Sequence, residues 1–182
     1  MAKIDDLQLV KKCLAGDSSA FGKLLATYQK AIFNLALRMT GSYEDAQDIT
    51  QAVFIKAYEK LESYNPKFKF FSWIYRMAVN SSINFLKQKR QTVTLSEMMV
   101  ATEKNPEEQY LITETNREVL DALMELSIDY RVAIILRHFG GFSYQEMGYI
   151  LNIPEKTVKS RLFSARMNLR QILSKHGIDH GG

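Results

Sequence analysis

Apolar residues recur at steps of three and four along nearly the whole chain, the spacing that lines one face of an α-helix. Leu7, Val10 and Leu14 form the first such stripe. Gly16 ends it, because glycine relaxes into the left-handed cap position. Asp17 or Ser18 can cap a second helix, which carries Phe21, Leu24, Leu25, Tyr28, Ile32 and Leu35 and is predicted to reach Met39 before Gly41 breaks it. Ser42 opens a third, with Glu44 and Asp45 in the first turn, where acids suit the helix dipole. Its stripe is Ala46, Ile49, Val53, Ala57 and Leu61, and Asn65-Pro66 is expected to end it. A fourth helix is predicted from Ser72 to about Lys89. Period-two alternation persists nowhere, so no strand is predicted.

Periodicity fades from Gln91 to about Thr113, a stretch with Pro106, several glutamates and little large apolar content. It reads as a linker, with a short helical piece expected around residues 95–100. Helical spacing returns with Val119, Leu120, Leu123 and Leu126, then Val132, Ile135 and Leu136, and Gly140-Gly141 makes a turn. The expectation is an all-α chain of two small helical domains, residues 1–92 and 113–182, joined by a linker over 93–112.

A length of 182 residues suits one large or two small domains. The 46% hydrophobic and 24% charged content suits a globular protein, and 9 glycines and 3 prolines exclude collagen-like chains. The single Cys13 permits no disulfide within the chain and reads as a small buried hydrophobe. Acids near the start argue against a secretory leader. No apolar run approaches the ~20 residues of a membrane span, so no membrane insertion is expected and a cytoplasmic location is. His138, His176 and His180 make no metal motif, and no phosphate-binding glycine loop or nucleophile motif occurs. No metal, no cofactor, no small-molecule substrate and no enzymatic activity are therefore expected.

The net charge of +4 conceals two basic blocks. Residues 67–90 hold six basic side chains and no acid; residues 155–176 hold six against Glu155 alone; residues 93–116 between them carry five glutamates and one lysine. Two separated sites for a polyanion are the implication.

The second block lies in a helix-turn-helix pattern. Ser143 and Glu146 have capping-box spacing, Met147, Ile150 and Leu151 can face inward, and Asn152 suits a left-handed turn. Ile153 plugs the junction, Pro154 and Glu155 start the second helix, and Val158 and Leu162 turn back onto the first. This leaves Glu155, Lys156, Thr157, Lys159, Ser160 and Arg161 on the outer face and leading end, the part of a recognition helix that enters a major groove. Arg166 and Arg170 extend the positive track. A solvated basic face on an ordinary helix pair is the plainer alternative.

The first block opens with aromatic residues: six of the twelve residues over 64–75 are Phe, Tyr or Trp, interleaved with Lys67 and Lys69 and followed by Arg76. Rings stack on unpaired bases and cations follow phosphates, the combination that melted DNA needs. Phe71 and Trp73 read first as core residues, which can at the same time shape such a surface. Asn80, seven residues after Trp73 on a similar face, could read a base edge. The helix over 43–58 shows Asp45, Asp48, Gln51 and Lys56, which cannot all be buried, beside Phe54 and Ile55. That outer face is more apolar than solvation requires and hints at a protein partner.

Taken together, these segments resemble the extracytoplasmic-function group of RNA polymerase sigma factors along nearly the whole chain. LVKKCLAGDSSAFGKLLATYQKAIFNLALRM resembles the opening helices, and YEDAQDITQAVFIKAY the helix that docks on the clamp of the largest polymerase subunit. FKFFSWIYRMAVNSSINFLKQKR resembles the promoter-melting and minus-ten segment, and FSYQEMGYILNIPEKTVKSRLFSARMNLRQIL the minus-thirty-five helix-turn-helix. The resemblance implies polymerase contacts at Asp45, Asp48, Gln51, Phe54 and Lys56. It implies minus-ten and melting roles for Lys67, Lys69, Phe71, Trp73, Arg76 and Asn80. Minus-thirty-five contacts would fall to Glu155, Lys156, Thr157, Lys159, Ser160, Arg161 and Arg166. The implied partners are core RNA polymerase, promoter DNA and an anti-sigma protein. Gly148 departs from a common alanine, at ~1 kcal/mol of helix propensity. A helix-turn-helix regulator with a different N-terminal domain is the competing reading. A ligand pocket or phosphoacceptor in the first half would distinguish it.

Overall fold

The computed structural model describes residues 5–93 and 114–177. Those residues form helices and turns, with no strand among them. The first group comprises α1 (Asp6–Leu14), α2 (Ser18–Thr40), α3 (Tyr43–Glu59), a 3₁₀ turn at Leu61–Ser63 and α4 (Phe70–Val93). The second comprises α5 (Glu114–Glu125), α6 (Ile128–Ile134), α7 (Tyr144–Leu151) and α8 (Glu155–Lys175). The helical piece expected around residues 95–100 lies outside the described residues.

Local chemistry sets these boundaries. Asp17 accepts from the Ser19 amide and caps α2, and Gly41 closes that helix at φ 73°, where a side chain would be strained. Ser42 accepts from the Asp45 amide and starts α3. That helix stops at Glu59, short of the proline expected to end it. Leu61 is buried just beyond, and the chain turns early in 3₁₀ geometry to place it there. Asn65 then organises the approach to α4: its Oδ1 accepts from the Lys67 amide at 3.0 Å and its carbonyl from the Phe68 amide at 3.1 Å. The Tyr64 hydroxyl donates to the Phe68 carbonyl, so the aromatic loop is pinned at both ends.

In the first group α2 packs against α1, α3 and α4; in the second, α8 packs against α5, α6 and α7. Buried residues of both groups belong to one apolar cluster. The groups meet along two seams, α4 against α7 and α2 against α5 and α6. At the second seam Arg131 is 7% exposed. Its guanidinium donates to the Met39 carbonyl in the last turn of α2 and to the Met124 and Leu126 carbonyls at the α5–α6 corner. A cation at the carbonyl end of a helix is favoured by the dipole. Met124 itself lies against Gly41, where an added Cβ would sit 2.9 Å from its sulfur. Residues 135–139 continue α6 as a single π turn, which periodicity alone does not reveal.

Candidate nucleic-acid interface and partner groove

The helix-turn-helix forms as its sequence chemistry requires. Ser143 Oγ accepts from the Glu146 amide at 3.2 Å and Glu146 Oε2 accepts from the Ser143 amide at 2.9 Å, a complete capping box. Asn152 takes the left-handed conformation at φ 55°, and Met147, Ile150, Val158 and Leu162 are buried. Pro154 is the N-cap of α8 rather than its first helical residue. A Cβ on Gly148 would lie 3.0 Å from the Ile153 carbonyl, so the helix backbone and the turn approach closely there.

On α8, Glu155, Lys156, Lys159, Ser160 and Arg166 are exposed and share one side with Arg170. Glu155 and Lys159 form an i,i+4 ion pair at 2.9 Å, and the Lys159 ammonium lies 5.6 Å from the Tyr144 ring centre. Thr157 is half-buried, and its carbonyl accepts from the Ser160 hydroxyl. Arg161 faces partly away and pairs with Asp129 of α6 at 3.5 Å. Arg166 Nε donates to His138 Nε2 at 3.4 Å. Partial burial, then Arg166 and Arg137, push that imidazole below its ordinary value and favour the neutral form that accepts. Phe163 stands in the middle of this face and is 68% exposed. An aromatic residue within a helix reads as core by default, so its residue type does not single it out. The usable signal was its register, three and four residues from Ser160, Lys159, Arg166 and Met167.

The α4 surface divides differently. Trp73 is 7% exposed, in edge contact with Tyr64 and tilted against Phe70, so its ring belongs to the core beneath the aromatic loop. Phe71 is half-buried between Tyr28, Tyr75 and Phe142. Lys67, Lys69 and Asn80 are exposed, and Arg76 is half-buried. Lys69 pairs with Glu146 of α7 at 2.7 Å, and Arg76 Nη1 donates to the Tyr149 carbonyl at 3.1 Å. Phe68 stacks on Tyr149 with ring centres 3.8 Å apart and planes at 15°. The sequence marks Glu146 only as the capping-box acid and does not mark Tyr149, since nothing local to α7 points to α4.

Between α2 and α3 runs a groove of about 1240 Å³. From α3 it is lined by Asp48, Gln51, Phe54, Ile55 and Tyr58, and α2 supplies its other wall. Phe54 is buried at its floor, whereas Ile55 is 54% exposed at its rim. Asp45 lies outside the groove and pairs with Lys89 of α4 at 2.7 Å; Lys56 is exposed on the far side of α3. Among the described residues no group of three His, Cys, Asp or Glu could hold a metal, and no helix is long and apolar enough to cross a membrane.

Sigma-70 region 2 matches residues 24–92, and Sigma-70 region 4 matches residues 116–169. Over 176 residues the chain is 32% identical to the ECF RNA polymerase sigma factor SigW of Bacillus subtilis, covering 90% of this chain and 94% of that one. The chain belongs to the ECF RNA polymerase sigma factors. The ECF RNA polymerase sigma-E factor of Escherichia coli K12 is 35% identical, covering 90% of this sigma factor and 92% of the relative. Among solved structures, the sigma factor RpoE of Bartonella quintana in complex with the anti-sigma factor NepR superposes with a TM-score of 0.71 at 26% identity, over 85% of this chain and 96% of that one. CnrH in complex with the cytosolic domain of CnrY shares the fold, with a TM-score of 0.73 at 23% identity over 93% and 97% of the two chains. As a member of this family, the sigma factor directs RNA polymerase in transcription initiation. The region 2 match contains the aromatic loop and all of the groove lining except Phe21; the region 4 match contains the capping box and most of α8.

Proposed function

We propose that the sigma factor divides promoter-directed initiation among three surfaces. The α2–α3 groove receives a helical element of core polymerase, with Asp48 and Gln51 offering polar contacts beside the apolar Phe54, Ile55 and Tyr58. Asp45 and Lys56 flank that contact. The exposed side of α8 enters a major groove, with Lys156, Lys159, Ser160 and Arg166 toward DNA, Glu155 and Thr157 at the leading end, and Arg161 held beside them by Asp129. Phe163 belongs with them, since an exposed ring in a major groove contacts a thymine methyl. The start of α4, with Lys67, Lys69, Phe71, Arg76 and Asn80, receives separated bases, and buried Trp73 supports it from beneath.

The domain division follows the same surfaces, with residues 1–92 and 113–182 as the two working modules and 93–112 as the tether. The chain itself catalyses nothing: phosphoryl transfer is the polymerase's, and no cofactor is required. Its place of work is the cytoplasm, where the template is. An anti-sigma protein is the expected regulator, because the structurally similar sigma factor RpoE was solved with the anti-sigma factor NepR bound.

The observation that carries this reading is the coexistence, in one chain of matched family regions, of a partner-sized groove and a helix-turn-helix with a basic outer face. Run-off transcription with purified core polymerase across genomic fragments tests it. Initiation at discrete promoters is expected, lost with the Asp48→Lys/Gln51→Ala double variant; no initiation beyond core alone overturns it.

A further inference from the structure

Beside the outer side of α8, the π turn that follows α6 brings up His138, to which the three proposed surfaces give no role. The ring is exposed, and so is Arg166, whose Nε donates to His138 Nε2 at 3.4 Å. Neighbours on the turn hold the histidine in place. Leu136 is buried, Arg137 donates to the Phe142 carbonyl at 2.8 Å, and the Phe139 ring lies under the Arg38 guanidinium of α2 at 4.1 Å. The charged groups around the imidazole are cations: Arg166 on α8, Arg137 on its own turn and facing Tyr144 of α7, and Arg38 on α2. Among the described residues none of these side chains has a carboxylate within ion-pair distance. A fixed cation and a titratable ring in contact, with no acid to balance them, suit an oxygen anion that both can hold.

We propose that His138 and Arg166 together grip one backbone phosphate of the duplex that α8 reads, and that the grip takes up a proton. This rests on the assignment of α8 to duplex DNA. It adds a residue outside the helix-turn-helix to the contact surface and makes that contact pH-dependent. In the free chain burial of the ring, then Arg166 and Arg137, hold the imidazole below its ordinary value, which favours the neutral form that accepts from Arg166. A phosphate oxygen acts the other way: it favours the imidazolium, and it gives Arg166 a stronger acceptor than the ring nitrogen it replaces. The ring then donates where it had accepted. A group whose value rises on binding adds affinity that is complete below its free value and is lost as pH rises through its bound value. Duplex binding therefore tightens on acidification from about pH 8 to about pH 6, the range in which histidine changes charge. His176 titrates in the same range but caps the far end of α8 beside Glu125, and substitution of His138 separates the two.

The test is fluorescence anisotropy of a rhodamine-labelled, mixed-sequence duplex of about 25 base pairs against the full chain at low salt, at both pH values. Phosphate contacts carry no sequence information, so this duplex suffices. The wild type is expected to bind about fivefold tighter at the lower pH, with a logarithmic salt slope steeper by about one. His138→Gln is expected to bind at both pH values as the wild type does at the higher one. His138→Lys carries a fixed charge and is expected to keep the tight affinity at both. The two variants therefore depart from the wild type in opposite directions, which a merely structural role of the ring would not produce. Thermal melts of both should match the wild type, because the ring is exposed. Equal wild-type affinity at both pH values, or a full pH effect retained in His138→Gln, overturns the proposal. Lys159→Ala separates it from the assignment of α8. If that variant weakens binding while no pH effect follows His138, the proton-linked contact alone is removed. If it binds like the wild type while the pH effect does follow His138, the phosphate contact stands and the assignment falls.

Discussion

Two basic helical surfaces look alike in the sequence and differ in availability. The outer side of α8 presents Lys156, Lys159, Ser160, Phe163 and Arg166 to solvent. The start of α4 offers as much positive charge and more aromatic area, yet Phe68, Lys69, Phe71 and Arg76 are all engaged by α7 or by Phe142 just before it. Duplex DNA needs only a ready cation-lined helix, because groove and phosphates exist before the protein arrives. Single-stranded bases exist only after melting, and an aromatic platform left bare beforehand would expose a large apolar patch. The difference teaches that charge and aromatic content along a chain do not say whether a surface is open: the side of α8 is bare, and the start of α4 is packed against α7.

The largest test of this contrast is Trp73→Ala. Because the ring is core rather than platform, the variant should lose about 3–5 kcal/mol of folding stability, measured by urea unfolding. A stable variant defective only in promoter opening would place the ring on the DNA side instead. Next is Arg131→Met, which leaves backbone carbonyls of α2 and of the α5–α6 corner without their donor. A loss of about 2–4 kcal/mol is expected, and Arg131→Lys should recover little, since an ammonium cannot span the same acceptors. Full stability in Arg131→Met would show that this seam adds nothing to the packing of the two groups.

On the open surface, Lys159→Ala and Arg166→Ala should each weaken duplex binding at the upstream element by about 1–3 kcal/mol. Lys69→Ala should leave binding of that duplex by the free chain unchanged, which fluorescence titration checks. Equal losses at all three positions would erase the contrast. Phe163→Ala should cost about 1 kcal/mol of selectivity for thymine at one position while leaving the melting temperature unchanged, because the ring is exposed.

The smallest effect is one of pH. Burial pushes the Glu146 carboxyl up, but hydrogen bonds from Lys69 and from Ser143 outweigh it and hold the group below the ordinary carboxylate value. A carboxylate lowered by folding adds stability that is complete above its unfolded value and disappears as pH falls through the folded one. The packing of α7 on α4, read by small-angle X-ray scattering, should therefore loosen only on acidification below the usual carboxylate range, and Glu146→Gln should remove that component. Loosening between neutral pH and the carboxylate range would assign that packing to another group.

Much of this molecule was legible from residue order because its determinants are local. Asp17, Ser42 and the Ser143–Glu146 box act on amides, and Gly41 and Asn152 donate to carbonyls, all within a few residues, so helix ends and the helix-turn-helix follow from short-range geometry. The basic outer side of α8 follows from period 3.6 alone. Tertiary packing decided the rest. Trp73 and Phe71 favoured the core without excluding the platform until Tyr64, Phe70, Tyr28 and Phe142 closed around them. The early end of α3 depends on where Leu61 finds burial, and the use of Arg131 depends on carbonyls as far as 92 residues away. Tyr149 and Glu146 carry no local mark of their contact with α4, because the energy of that contact belongs to a pair of surfaces. Periodicity can show that a face exists, but which face it meets is settled only when the whole chain has been packed.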